Sequence, residues 1–92
     1  MKRVFLFEEI RSQIRHLPPD LKKKIRNAFD ELLEAPLSGK ELEEDLQGYL
    51  SYKLGRVRII YKIDTPHITV IAIGPRKTIY EKTVLELKRA NT

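Results

Sequence analysis

Residues 67–74, HITVIAIG, constrain the fold more tightly than any other stretch of this chain. Side chains along a β-strand alternate between two faces, so a strand with one solvated face alternates apolar and polar residues. Strict alternation puts Ile68, Val70 and Ala72 on one face here, with Ile71 and Ile73 on the other. A strand that is apolar on both faces has to lie inside a sheet covered on both sides. The chain must therefore supply both neighbouring strands and covering helices, and it must do so within 92 residues. That length fits one domain, residues 1–92, near the lower end of the range in which a single core supports folding.

The cover for one face is legible upstream. Ile10, Ile14 and Leu17 recur at helical spacing, with Glu8 and Glu9 in the first turn and Arg11, Arg15 and His16 toward the end, as the helix macrodipole favours. LPPD then stops this helix, and Asp20 is placed to cap the next. Leu21, Ile25, Ala28, Phe29, Leu32 and Leu33 follow as one apolar stripe, predicting a helix that ends near Glu34, before Pro36. A helical pair with one apolar face cannot fold alone and has to pack on a sheet. KRVFLF predicts an opening strand over residues 2–6, and residues 80–90 predict a last helix carrying Val84, Leu85 and Leu87. Between them, APLSGKELEEDLQG is a connection rich in turn residues and acids.

Composition narrows the function classes. The chain has no cysteine, so disulfides and thiolate metal sites are excluded. No apolar run approaches the roughly 20 residues that span a bilayer, and no signal-peptide core opens the sequence, so the expectation is a soluble, cytoplasmic protein without a membrane partner. Net charge is +5 and unevenly spread. Residues 1–50 hold nine Lys/Arg against ten Asp/Glu, a net of −1, whereas residues 51–92 hold nine against three, a net of +6. Such segregation points to a polyanionic partner, with nucleic acid ahead of membrane because no amphipathic basic helix carries the excess.

YLSYKLGRVRIIYKID, residues 49–64, reads as a β-hairpin and carries Lys53, Arg56, Arg58 and Lys62 before its first acid, Asp64. Gly55-Arg56 suits a two-residue type II′ turn, which takes glycine at its first central position. That register sets Leu54 opposite Val57, Lys53 opposite Arg58 and Tyr52 opposite Ile59. Opposed like charges, about 5 Å apart between Cβ atoms, destabilise a sheet. The missing acid points to a counter-charge from outside, and phosphate is the usual one. Two side chains splayed into solvent at little cost are the plain alternative. Tyr49, Tyr52 and Tyr61 read as sheet-packing residues.

In order, an α-hairpin, GYLSYKLGRVRIIYKID, a two-sided apolar strand and IGPRKTIYE closely resemble the RelE/ParE toxin superfamily, and within it the RelE-like ribosome-dependent mRNA endonucleases. The most specific pieces are YKLGRVRIIY and the spacing of Gly74, Arg76 and Tyr80. The resemblance implies an α+β fold: a small twisted, mostly antiparallel sheet of about four strands, an N-terminal helical hairpin packed on it, and a C-terminal helix. It also implies a toxin held by a cognate antitoxin in a heteromeric complex, acting on the ribosome and its mRNA. The implied cut needs no metal or other cofactor. The RNA 2′-hydroxyl attacks the adjacent phosphorus, leaving a 2′,3′-cyclic phosphate and a free 5′-hydroxyl, which calls for a base, cations on the phosphoryl oxygens and an acid for the leaving oxygen.

By position, the resemblance makes Arg58 the ligand of the scissile phosphate and Arg76 the stabiliser of developing charge or the donor to the leaving oxygen. Tyr80 would stack on a base or orient the 2′-hydroxyl, and Lys53 is the candidate base. Arg56, Lys62 and Lys77 would be flanking RNA contacts. Two positions depart from the pattern. Pro75 stands where many relatives have histidine, and Ser51 stands where some have a second lysine. Neither His16, at a helix end, nor His67, at the far end of its strand, replaces the first. The alternatives left open are a ParE-like, non-enzymatic inhibitor of DNA gyrase and a degenerate member that only binds antitoxin.

Overall fold

The computed structural model describes residues 2–90. Five strands form one sheet: β1 (Val4–Leu6), β2 (Lys40–Glu41), β3 (Leu50–Leu54), β4 (Val57–Asp64) and β5 (His67–Pro75). The helices are α1 (Glu8–Arg15), α2 (Pro19–Glu34) and α3 (Arg76–Ala90). Strand order is β1-β5-β4-β3-β2, so the doubly apolar run lies inside the sheet, between β1 and β4. β1 runs parallel to β5, and every other neighbouring pair is antiparallel.

Each face of β5 has its cover. Ile10 of α1 and Ile25, Ala28 and Leu32 of α2 pack against Leu50, Ile59, Tyr61, Ile68, Val70 and Ile73 on one side. On the other side Ile79 of α3 packs with Ile60, Ile71 and Ala72, and Tyr80 and Leu87 lie against this smaller cluster. A fully buried aliphatic side chain contributes roughly 1.5–3 kcal/mol, so both layers add to the stability of the fold. The phase of β5 differs from strict alternation. Ile60 pairs with Ala72 but Tyr61 pairs with Val70, which leaves Ile71 as an extra residue in a bulge. The bulge brings Ile71 and Ala72 together onto the α3 face.

Three expectations about elements change. The sheet has five strands instead of about four, because the acid-rich connection folds into 3₁₀ turns at Pro36–Ser38 and Glu44–Leu46 and contributes the two-residue β2. Gly39 lets this strap close down, since a Cβ there would come within 2.9 Å of the Ser51 carbonyl. Asp20 is not the cap of α2. Pro18 takes that position and Pro19 begins the helix, where its fixed φ is already helical, leaving Asp20 in the first turn. Finally, α3 starts at Arg76, four residues before Tyr80, directly from the end of β5.

Candidate functional site

The hairpin turn sets the site. Gly55 has φ +62, in the left-handed region that glycine enters without steric cost, whereas Arg56 does not have positive φ. The register that follows is Leu54 with Val57, Lys53 with Arg58 and Tyr52 with Ile59, as the sequence predicts. β5 extends the row, because Arg58 also stands opposite Gly74. Tyr52, Leu54 and Val57 pack toward α1 and α2, so Lys53 and Arg58 share the face that carries α3. Gly74 is the third member of this row. A Cβ there would come within 2.8 Å of Ile79 Cδ1, so its absence lets α3 fold back closely over the sheet.

Arg58 is only 8% exposed, so it does not splay into solvent. Its Nη1 donates to the carbonyls of Gly55 at 2.9 Å and Val57 at 3.1 Å, which pins the guanidinium to the turn. No side-chain nitrogen among the described residues is buried without a partner, so the Arg58 nitrogens not used at the turn reach the surface. Lys53 is exposed beside it. The backbone N–H of Arg76 donates to the carbonyl of Arg56 at 3.0 Å, tying the start of α3 to the hairpin turn. Arg56, Arg76 and Lys77 are thereby gathered at the end of the sheet where Lys53 and Arg58 lie. None of these five cations has a carboxylate within ion-pair distance among the described residues. The first turn of α3 holds no acid either. Cations at a helix N-terminus oppose the macrodipole, so helix stability alone does not account for Arg76 and Lys77 there. The arrangement can hold an anion.

Lys62 is set apart from this group. It lies four residues from Arg58 along β4, roughly 13 Å at strand spacing, and pairs with Asp64 at 3.6 Å. Tyr80 is brought over the adjoining row of Ser51, Ile60 and Ala72. Its ring lies against the Ile60–Ala72 cluster, and its hydroxyl is 2.8 Å from Ser51 Oγ. The structure also supplies a cation that sequence reasoning missed. Lys40 pairs with Ser51 across β2 and β3, which puts it on the same face. Two residues of strand inside an acidic connection carry no periodic signal by which to find it. His16 bonds the Ser12 carbonyl in its own helix, and His67 accepts the backbone N–H of Arg3. Neither reaches the row, and exposed Pro75 ends β5 beside it. Among the described residues no group of three or more His, Asp or Glu side chains could hold a metal ion.

The two tyrosines with displaced pKa values serve the opposite face. Burial pushes the Tyr61 phenol up, against a smaller lowering by the Gly39 N–H that it accepts. Tyr61 in turn donates to the Pro36 carbonyl at 2.7 Å, locking the strap that carries β2. Tyr52 donates to the Glu31 carboxylate, and that bond, followed by burial, raises its pKa. A groove of about 600 Å³ opens elsewhere, floored by Ile71, Ala72 and Ile79 and flanked by Phe7 and Leu87. None of Lys53, Arg58, Arg76 or Tyr80 lines it.

Residues 7–80 match the family described as the ParE toxin of the type II toxin-antitoxin system parDE. Toxin RelG of Mycobacterium tuberculosis is 36% identical over 76 residues, covering 78% of this chain and 87% of that protein. The RelBE2 toxin-antitoxin complex of the same organism contains a chain of similar structure, with TM-score 0.71 and 28% identity, covering 80% of this chain and 96% of that one. The intact RelBE toxin-antitoxin complex of Escherichia coli aligns with TM-score 0.66 over 78% of this chain and 93% of its own, and at 21% identity this likeness speaks to the fold alone. No described helix is long and apolar enough to cross a membrane. With its whole middle section matched and its fold shared with RelE-type toxins, the chain belongs to the ParE toxin family of type II toxin-antitoxin systems.

Proposed function

We propose that this toxin is a RelE-like endoribonuclease that cleaves mRNA in the ribosomal A site. The observation that carries the reading is the set of five cations, Lys53, Arg56, Arg58, Arg76 and Lys77, gathered at one end of the sheet with no carboxylate among the described residues paired to any of them. In the reaction, the 2′-oxygen loses its proton to the Lys53 amine, which acts as acceptor only in its uncharged form, and forms a bond to the adjacent phosphorus. The bond from phosphorus to the 5′-oxygen breaks, and that oxygen takes its proton from solvent water while the Arg76 guanidinium stabilises its developing charge. Arg58, held by its turn carbonyls, offers its remaining N–H groups to the phosphoryl oxygens. Preorganised donors of this kind lower the barrier because they need no reorientation as charge develops. Tyr80 stands beside the row, where a phenol can stack on a base or meet a phosphoryl oxygen. Arg56 and Lys77, with Lys62 farther off, contact flanking phosphates.

Primer extension on cellular mRNA after induction tests this reading. Cuts in register with translated codons are expected, and their absence would remove it. The second reading, inhibition of DNA gyrase, is favoured by the ParE description of the matching family and by Pro75 and Ser51 in place of histidine and lysine. It predicts loss of supercoiling by purified gyrase with intact mRNA. A cognate antitoxin is part of the proposal under either reading. Its support is that the relatives of known structure include toxin-antitoxin complexes, and that among the described residues β1 and β2 are the edge strands of the sheet, where an added strand would pair. Co-expression of that antitoxin should abolish toxicity.

A further inference from the structure

Three polar or charged side chains are buried among the described residues: Ser51, Arg58 and Thr83. Thr83 bonds within its own helix, donating to the Ile79 carbonyl at 2.6 Å. Arg58 serves the hairpin turn. Ser51 does neither, and its hydroxyl meets the Tyr80 hydroxyl at 2.8 Å, across 29 residues of sequence. Ser51 lies two residues before Lys53 on the same face of β3, roughly 7 Å away along the strand. The contact therefore fixes where, next to the cation pair, the phenol of Tyr80 ends.

Hydrogen-bond chemistry gives this contact a direction. Each hydroxyl has one hydrogen to donate and two lone pairs. When two hydroxyls bond, one hydrogen is used between them and the other is left for a third group. A phosphoryl oxygen can only accept. The useful arrangement is thus Ser51 donating to Tyr80 Oη, with the tyrosine hydrogen turned outward and its O–H polarised by the bond it receives. The Tyr80 ring is already held by the Ile60, Ile71, Ala72 and Ile79 cluster, so rotation of the hydroxyl is the freedom that remains.

We infer that Ser51 is a positioning residue: its hydroxyl donates to Tyr80 and so aims the tyrosine's own O–H at a phosphoryl oxygen of RNA held over Lys53 and Arg58. This rests on the endoribonuclease reading above. A bond to a phosphoryl oxygen strengthens as negative charge develops, so its loss falls on the chemical step more than on affinity.

A double-mutant cycle on single-turnover mRNA cleavage by programmed ribosomes tests the inference. Ser51→Ala is expected to slow cleavage about tenfold, the size of one hydrogen bond, with little change in the concentration of half-saturation. Tyr80→Phe should slow it at least as much, and the double variant should be no slower than Tyr80→Phe alone. Ser51→Thr, which keeps the hydroxyl, should restore the rate to within about twofold, the ordinary error of such cycles. A merely structural contact predicts lower melting temperatures with unchanged rates. Parent rates in Ser51→Ala, or single effects that multiply in the double variant, would overturn the inference. If the parent cleaves no mRNA, the endoribonuclease reading falls and the inference that rests on it falls with it, whereas an active parent with an unaffected Ser51→Ala overturns the inference alone.

Discussion

Arg58 and Lys53 occupy equivalent places on facing strands, yet their environments predict different outcomes on neutralisation. Arg58→Gln loses two bonds to turn carbonyls, so it should destabilise the fold by about 1 kcal/mol even though the repulsion from Lys53 is relieved. The same change should slow single-turnover cleavage on the order of a hundredfold or more, as loss of an oxyanion-type donor does. Lys53→Gln removes the repulsion without costing a bond, and its melting temperature should match or exceed the parent's, within about 0.5 kcal/mol. Thermal melting of both variants beside the cleavage assay checks the pair, and equal stability would show that the turn bonds contribute nothing. Tyr61 gives a pH-dependent counterpart. Its folded pKa lies above the ordinary value of 10, so between the two values the folded state binds more protons than the unfolded one. Its contribution to stability is therefore complete below pH 10 and is lost as pH rises through the folded value. Denaturant titrations at pH 8 to 11 should show a steeper alkaline loss for the parent than for Tyr61→Phe, which lacks the titrating group and should be less stable at neutral pH.

The elements around the site trade local stability for charge. α3 begins with Arg76 and Lys77 and has no acid in its first turn, whereas α1 follows the favourable pattern with Glu8 and Glu9. Lys77→Glu should therefore stabilise α3 by about 0.3–1 kcal/mol through the macrodipole, while weakening affinity for RNA or ribosomes. A rise in melting temperature together with a rise in Kd is the expected signature. A fall in melting temperature with an unchanged Kd would mean that Lys77 supports the helix instead of the ligand. The hairpin was the most legible element, because its two-residue turn and period-2 alternation leave one register. The bulge at Ile71 was not legible. Isoleucine and alanine suit either face, and the position of an extra residue depends on what the neighbouring strand and α3 require.

Over the whole molecule, a net charge of +6 in residues 51–92 against −1 in residues 1–50 makes association with any polyanion sensitive to salt. Log affinity for single-stranded RNA should fall linearly with log salt, and each neutralised phosphate contact among Lys40, Arg56 and Lys77 should reduce that slope by about 0.7. A slope unchanged by Lys40→Ala would remove Lys40 from the interface. The amino-acid sequence by itself determined the features that local sterics and periodicity control: the helical pair, the strand apolar on both faces, the Gly55-Arg56 turn and the opposition of Lys53 to Arg58. Only the tertiary structure decided which of those side chains share an environment. It buried Arg58 against its own turn, set Lys40 beside Ser51, separated Lys62 from the other cations, and joined Ser51 to Tyr80 across 29 residues. The reason is that periodicity assigns each residue a face of its own element, whereas contacts between elements depend on how those faces pack, and packing is a property of the whole set of layers at once.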